Sequence, residues 1–499
     1  MLDILDSTNL GTSKNWQSLF APETIAVIGA SDVIGSWGHG ISWRLISAGR
    51  RTIYLVNPNI PEIMGRSTYR SVLDVPGPVD LAIIVVPAAK VAGVLRECVQ
   101  KGVKAAIIIS GGFSETGEAG SQLEAEIVKI AREGGINFVG PNTMGHANTH
   151  AGLSTLAWVK ELIPGPVALV AQSGNCGSRI LHHGMALGIG FSKFVCAGNE
   201  ADLHLEDYLA YLSHDDDTAI IATYIEGLRE GRRFLRLARE ITTRKPIVAL
   251  KSGGTEGSAK AARSHTGALA GSEAVYAAAF KQAGVIRVDD DDELIDVLLA
   301  LLHQPLPRGN RVGILTIGGG LGVVSTEACE REGLAVVPLS PRTMEKLNTL
   351  LPPRWSHSNP IDLVGISSAA DNHIIIESIW VLLEDENIDA LILQAPVAFG
   401  SGLLDALFHF DAERMKAFQD RQRRNLELIR QRTREHGKPV LVVMPVNDPE
   451  TSAYLLKERI PTYPNPQRAA RVLRQLTWYK RYLDTVSEAA DLTNCGKCA

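Results

Sequence analysis

Between Lys251 and Ser272 the chain reads KSGGTEGSAKAARSHTGALAGS, and the only histidine of the stretch, His265, stands in Ser-His-Thr-Gly. Fourteen of these 22 residues are Gly, Ala or Ser, too small to anchor a core, and Leu269 is the one large aliphatic side chain. Such a segment can move as a loop or bring its backbone close to a ligand. A neutral imidazole with one ring nitrogen free is a competent nucleophile, so His265 is placed to act as a carrier that travels. The same composition fits an Ala-rich surface helix bearing an ordinary exposed histidine, and the stretch alone does not separate the two.

A second place with chemistry in it is Ser173-Gly174, where the apolar run VALVAQ meets the helical pattern SRILHHGMALG. Small residues at a helix start leave backbone N–H groups free for an anion, although a plain strand-to-helix turn looks alike. Gly318-Gly319-Gly320 and Gly322 form a comparable turn further on. No G-x-x-x-x-G-K-[ST] loop occurs, which removes a Walker-type nucleotide site. His182 and His183 are adjacent and so point to different helix faces, without the spacing of a metal pair. The acidic run Asp289 to Glu293 reads as a helix start that complements the macrodipole. No metal site is expected. Cys495 and Cys498 form a lone CxxC near the C-terminus, read as part of a polar tail.

The elements that must position these residues follow a repeated order. TIAVIGA runs into Gly35, Gly38 and Gly40, and a helix over ISWRLISAG closes at Gly49. Further strands end at Asn57-Pro58, at Pro87, at Ser110-Gly111-Gly112 and at Pro141-Asn142. Alternating strands and helices predict a parallel doubly wound sheet with its ligand at the carboxyl ends of the strands. The glycines lack G-x-G-x-x-G spacing, and strand two ends in Asn57 rather than an acidic residue, so NAD is disfavoured while a phosphate-rich ligand is retained. The pattern restarts after LIPGP near residue 160 and again after PLPRGN. The expected fold is α/β, with three successive Rossmann- or flavodoxin-like doubly wound parallel-sheet domains. Their boundaries are read as 1–155, 156–305 (closed by the helical run DELIDVLLALL) and 306–464, followed by a C-terminal helix and polar tail over 465–499.

Composition narrows the class. The 499 residues carry 50 basic and 55 acidic side chains in dispersed order, for a net charge of −5, so no basic stripe invites nucleic acid. No apolar run approaches the roughly 20 residues that span a bilayer, and the acidic N-terminus lacks the order of a signal peptide. Six cysteines in this length do not make a disulfide framework. A reduced, cytoplasmic protein with no membrane partner is expected.

SHTGALAGS around His265, VAQSG ending at Gly174, GNEAD at 198–202, YIEG at 224–227 and VGPN at 139–142 resemble the CoA-binding, or alpha, part of ADP-forming acyl-CoA synthetases. These are similar in turn to succinyl-CoA synthetase. The resemblance runs from about Leu19 to near Leu483. It implies that an acyl-CoA and phosphate give an acyl phosphate and free CoA, that His265 takes the phosphoryl group, and that its loop hands it to ADP on an ATP-grasp unit. It also implies Glu226 as the carboxylate orienting the phosphohistidine, and Gln172, Ser173 and Gly174 around phosphate. Gly29, Ser31 and Gly35 would hold CoA phosphates, Asn57, Val86, Pro87 and Ser110 would line the CoA cleft, and Asn142, Thr143 and Met144 would shape the acyl pocket.

Two local departures bear on chemistry. The family usually follows its SQSG with Ala-Leu-Gly, whereas this chain has Ala171 before the motif and Asn175-Cys176 after it. GNKAD is commoner than GNEAD, so Glu200 replaces a cation near the site. The chain ends soon after its last helix, which implies a separate ATP-grasp beta subunit carrying ADP or ATP with Mg2+, in an α2β2 heterotetramer. A CoA- or acyl-CoA-binding protein without turnover, acting as a regulatory scaffold, is the alternative; a nicotinamide oxidoreductase is a third reading.

Overall fold

Short runs of Ile, Val, Leu and Ala decide the architecture, because a strand buried on both faces needs no polar alternation. In LAII and AAII every residue is buried. The computed structural model describes residues 14–159, 161–254, 257, 273–364, 372–398, 411–444 and 449–495. His265 and Cys498 lie outside the described residues. The chain divides into two units, Met1–Asp289 and Asp290–Ala499.

The first unit opens with strands β1 (Thr24–Ile28), β2 (Thr52–Val56), β3 (Leu81–Ile84), β4 (Ala105–Ile108) and β5 (Asn137–Val139). They form an all-parallel sheet in the order β2-β1-β3-β4-β5, the flavodoxin order. Next come β6 (His146–Asn148), β7 (Leu153–Ser154), β8 (Pro164–Ala171), β9 (Phe191–Cys196), β10 (Ile220–Ile225), β11 (Ile247–Lys251) and β12 (Ile286–Val288). The order of this second sheet is β12-β11-β10-β8-β9-β6-β7. It is mixed rather than wholly parallel, since β6 runs antiparallel to β9 and β7 antiparallel to β6. The reason is local: the chain leaving the first sheet lies along the open edge of β9 and covers it.

Helices α1 (Trp16–Phe20), α2 (Trp37–Ala48), α3 (Ala88–Lys101), α4 (Glu118–Gly134), α5 (Gly174–Ala186), α6 (Leu205–Ser213) and α7 (Gly231–Ile241) alternate with these strands. The expected closure of α2 at Gly49 is present, with φ 62° there and Ser36 capping the other end by accepting from the His39 amide at 3.2 Å. Helix α1 is pinned to the second sheet by ring and backbone contacts. Trp16 and Phe20 each stack on Tyr211 with ring centroids 4.8 Å apart, and buried His146 donates through Nε2 to the Leu19 carbonyl at 2.8 Å.

In the second unit, β13 (Arg311–Thr316), β14 (Ala335–Val336), β15 (Ile361–Asp362), β16 (Ala390–Gln394), β17 (Val440–Val443) and β18 (Thr462–Tyr463) form a parallel sheet. Its order is β14-β13-β16-β17-β18, with β15 also on β13. Helix Asp291–His303, expected to close the second segment, belongs to this unit by its contacts. Its carboxylates Glu293 and Asp296 are buried, and burying a carboxylate requires partners. Arg468 meets Asp296 with two bonds of 2.5 and 2.8 Å, and Gln475 donates to Glu293 at 2.8 Å. Asp290 caps the helix by accepting from the Glu293 amide at 2.7 Å, which bears out the reading of the acidic run as a helix start. The helix carrying Arg468 runs from Pro466 to Cys495. It is longer than expected because the supposed polar tail, with no Gly or Pro before Gly496 and with Glu488, Ala489, Ala490 and Leu492, favours helix.

Burial pushes the His146 pKa down to about 4, the nearby Arg51 adding to the effect against the Leu19 bond. The folded protein therefore refuses a proton that the unfolded chain takes up near pH 6.5. Stability contributed by this neutral imidazole is present above pH 6.5 and is lost as pH falls to about 4, to the extent of about 3 kcal/mol. Urea denaturation at pH 7 and pH 4 should show that loss, and His146→Gln, which keeps a donor for the Leu19 carbonyl, should remove that share of it.

Candidate active site

In the first sheet the connection reverses direction between β1 and β3, and the crevice there is where ligands of such sheets bind. Gly29 follows β1 with φ 94°, and a side-chain carbon on it would lie 2.2 Å from the Val85 carbonyl oxygen beyond β3. Only glycine lets these two strand ends approach so closely. Gly35 has φ 88° but open space around it, so it serves the turn's conformation. Ser31 accepts from the Val33 amide at 3.0 Å. Asn57 braces the turn, donating to the Ala30 carbonyl at 2.8 Å and accepting from the Asn59 and Ile60 amides at 2.9 and 3.2 Å. These four residues lie outside the cavity wall described next.

A cavity of about 500 Å³ takes its wall from the strand ends of both sheets of this unit. Val86, Pro87 and Ser110 come from the first sheet, Asn142, Thr143 and Met144 from the link, and Gln172, Ser173 and Gly174 from the turn after β8. The cavity thus brings together the residues expected around acyl group and phosphate with three of those expected around CoA, Val86, Pro87 and Ser110. Several are fixed by backbone bonds. The Ser110 hydroxyl donates to the Val86 carbonyl, and the Thr143 hydroxyl donates to the Cys196 carbonyl and accepts from the Gly145 amide at 2.9 Å. Asn142 adopts φ 59° and donates to Asn199 at 3.2 Å. Ser173 is the N-cap of α5, its hydroxyl 3.5 Å from the Cys176 amide.

Gln172 behaves differently from expectation. Its Oε1 accepts from the amides of Glu226 and Gly227 at 2.5 and 3.0 Å, while Nε2 donates to the Gly227 carbonyl at 2.7 Å and to Glu200 at 2.8 Å. Its own amide donates to the Tyr224 carbonyl at 3.2 Å. A carboxamide has two acceptor and two donor positions, and all four are engaged within the protein. Gln172 therefore ties the turn after β8 to the turn after β10, across the switch point of the second sheet, rather than offering a donor to phosphate.

Among the described residues, no side chain lining the cavity is charged. An anion there would be held by backbone N–H groups and the positive end of α5. Ionised groups stand behind the wall. Asn199, which also lines the cavity, donates to Glu115 at 2.6 Å and Glu124 at 2.9 Å. Burial opposes ionisation of Glu115, but bonds from Asn199 and the Gly112 and Phe113 amides keep its pKa below the usual carboxylate value. Burial pushes the Cys196 thiol up, so it faces the cavity as a neutral thiol. Glu226 is not part of the wall. Its carbonyl accepts from Lys251 at 3.0 Å, and the Lys251 ammonium sits 4.5 Å from the centre of the Tyr276 ring. Burial lowers the Lys251 pKa against the pull of Glu273 and Glu226. Sequence reasoning assigned no role to Cys196 or Lys251, and Asn199 was marked only through its GNEAD motif.

Paired switch points around a cavity beside a capped helix start fit a protein that handles phosphorylated ligands. Known families make this specific. The chain matches a CoA binding domain over residues 23–149, a succinyl-CoA ligase like flavodoxin domain over 164–301 and a ligase-CoA domain over 312–478. It is 39% identical to an acetate–CoA ligase [ADP-forming] II subunit alpha from Pyrococcus furiosus, over 90% of this chain and 95% of that one. It is 37% identical to a 4-hydroxybutyrate–CoA ligase [ADP-forming] from Nitrosopumilus maritimus, over 72% of this chain and 52% of that one. The solved structure of a Ca. Korarchaeum cryptofilum dinucleotide forming acetyl-coenzyme A synthetase 1, in complex with phosphate and ADP, superposes with a TM-score of 0.81 at 34% identity. That match covers 95% of this chain and 98% of the other. The chain belongs to the alpha subunits of ADP-forming acyl-CoA synthetases, acid–thiol ligases of the succinyl-CoA synthetase superfamily. These relatives do not favour the reading as a non-catalytic scaffold.

The two glycines of the first turn should separate in experiment. Gly29→Ala meets both a forbidden φ and a carbonyl oxygen, and should cost about 3 kcal/mol or more, whereas Gly35→Ala meets only the φ and should cost about 1–2 kcal/mol. Thermal denaturation of both variants measures the difference.

Proposed function

We propose that the cavity is where an acyl-CoA and inorganic phosphate exchange, giving an acyl phosphate and CoA, and that His265 then carries the phosphoryl group to ADP on an ATP-grasp beta subunit. The observation that carries this reading is the meeting, in one uncharged cavity, of the 142–144 link with the Ser173-capped start of α5. Phosphate oxygen attacks the thioester carbonyl, the C–S bond breaks, and CoA leaves as its thiol form after taking up a proton. Backbone N–H groups of the α5 start stabilise the charge on phosphate and on the tetrahedral oxygen. His265 attacks the phosphorus of the acyl phosphate with its free ring nitrogen, releasing the carboxylate. Glu226 orients the imidazole through the other nitrogen, the role of a triad acid.

CoA phosphates would rest against the first turn, where Gly29, Ser31 and Gly35 precede α2. The Gly29 approach to Val85 and the Ser36-capped helix start support that placement. Thr143, Met144 and the neutral Cys196 thiol would surround the acyl group. Relatives named for acetate and 4-hydroxybutyrate support a small aliphatic acid, with acetate the first to test. ADP and Mg2+ would belong to the partner, which the name subunit alpha of the relatives implies. Among the described residues no helix is long and apolar enough to cross a membrane, and a cytoplasmic site of action is proposed.

The test combines the chain with an ATP-grasp partner, acetyl-CoA, ADP, phosphate and Mg2+, and measures ATP by luciferase. The chain should also acquire an acid-labile, base-stable phosphate from acyl-CoA and labelled phosphate. His265→Ala should abolish both signals, and a label that persists in that variant would defeat the proposal. Glu226→Gln should retain the fold and lower turnover about 100-fold or more.

A further inference from the structure

Behind the transfer site lies a carboxyl group that the mechanism above leaves unused. Glu200 follows β9 and is 3% exposed, with φ 52°, a left-handed conformation uncommon for a residue that is not glycine. Its Oε2 accepts from Gln172 Nε2 at 2.8 Å, and its Oε1 is buried without a hydrogen-bond partner. Gln172 is the residue whose Oε1 receives the Glu226 and Gly227 amides. An amide can be turned end for end with little change of shape, which would oppose its NH2 to those two amides. The Glu200 bond favours the productive orientation.

We propose that Glu200 is a positioning residue for the phosphoryl-transfer site, fixing the Gln172 carboxamide that joins the Ser173 turn to the Glu226–Gly227 turn, and that it does so as a neutral acid whose ionisation disables transfer. The inference rests on the proposed function of the Ser173 and Glu226 turns. Its physical basis is burial that the Gln172 bond, Arg229 and the Leu205 amide offset only in part. The groups bearing on Glu200 are Glu206 on α6, Arg229 on the turn after β10, and Tyr208 on α6, whose buried hydroxyl also lacks a partner. Asp202 and Asp207 add negative charge around Tyr208. Burial pushes the Glu200 pKa up to about 8 and Glu206 raises it further, while the Gln172 bond, Arg229 and the Leu205 amide lower it. An ionised Oε1 with no partner would be far costlier than a neutral one. Ionisation would also set a buried anion behind the turns that must receive a phosphoryl group.

The sign follows from linkage. A carboxyl whose folded pKa lies above its unfolded value binds more protons when folded, so stability declines as pH rises from about 4.5 to about 8. The experiment uses the reconstituted enzyme with acetyl-CoA, ADP and phosphate, and reads kcat, KM and His265 labelling from pH 6 to 9.5. Wild type should lose kcat and labelling through an apparent pKa near 8, with KM for acetyl-CoA little changed. Glu200→Ala should lower kcat about 10–100-fold at pH 7. Glu200→Gln, which keeps an acceptor for Gln172 but cannot ionise, should recover most of that loss and lack the alkaline limb. Should the alanine variant not fold, the glutamine variant decides through its pH profile. Superimposable profiles for wild type and Glu200→Gln would overturn the inference. The melting temperature separates this from failure of the functional reading. With no ligase activity at all, Glu200→Gln should still gain on wild type as pH rises from 6 to 9, and a constant difference would also overturn it.

Discussion

The site depends on one satisfied carboxamide. Two turns follow the neighbouring parallel strands β8 and β10, and the sheet ladder between them ends at the bond from the Gln172 amide to the Tyr224 carbonyl. Beyond that bond Gln172 ties the β8 turn to the turn after β10 with side-chain bonds of 2.5 to 3.0 Å to Glu226 and Gly227, and it also bonds Glu200. A buried network is worth having only when every member is paired, because a half-paired one costs more than an apolar core. At Gln172 the pairing is complete; at its hydrogen-bond partner Glu200, Oε1 has no side-chain partner. On the proposed reading, the contrast places the unpaired atom at a carboxyl rather than at the turn that would meet substrate.

Much of the fold was legible because it is carried by local patterns. Apolar runs of four to six residues, each ending in Gly, Pro or Ser, mark the strands, and helix ends such as Ser36 and Gly49 follow from capping chemistry. What the sequence did not yield is whatever rests on distant partners. His146–Asn148 is three residues long and has no strand pattern, so only the open edge of β9 makes it a strand. Glu293 read as an ordinary helix-start acid, yet it and Asp296 meet a helix 172 to 182 residues away. At the site, motif residues such as Ser110, Asn142 and Ser173 do line one cavity. The bonding of Gln172 was invisible, because a glutamine beside Ser-Gly looks the same whether it faces ligand or protein.

Among the described residues the cavity wall carries no charge, and that bears on how a carrier could work there. A lysine or arginine would bind phosphate tightly, but a site that must hand a phosphoryl group onward gains from holding it less firmly. Backbone N–H groups at a helix start provide directed, fixed partial charge that needs no reorganisation. They also exert less long-range pull than a full cation. The ionised groups nearby, Glu115, Glu124 and Lys251, are each engaged by other side chains or carbonyls behind the wall. On the proposed reading, then, charge near the transfer site is a disturbance that the fold keeps paired or neutral. That gives Glu200 its meaning: the chain places an acid beside the transfer site, and burial favours keeping the proton on it.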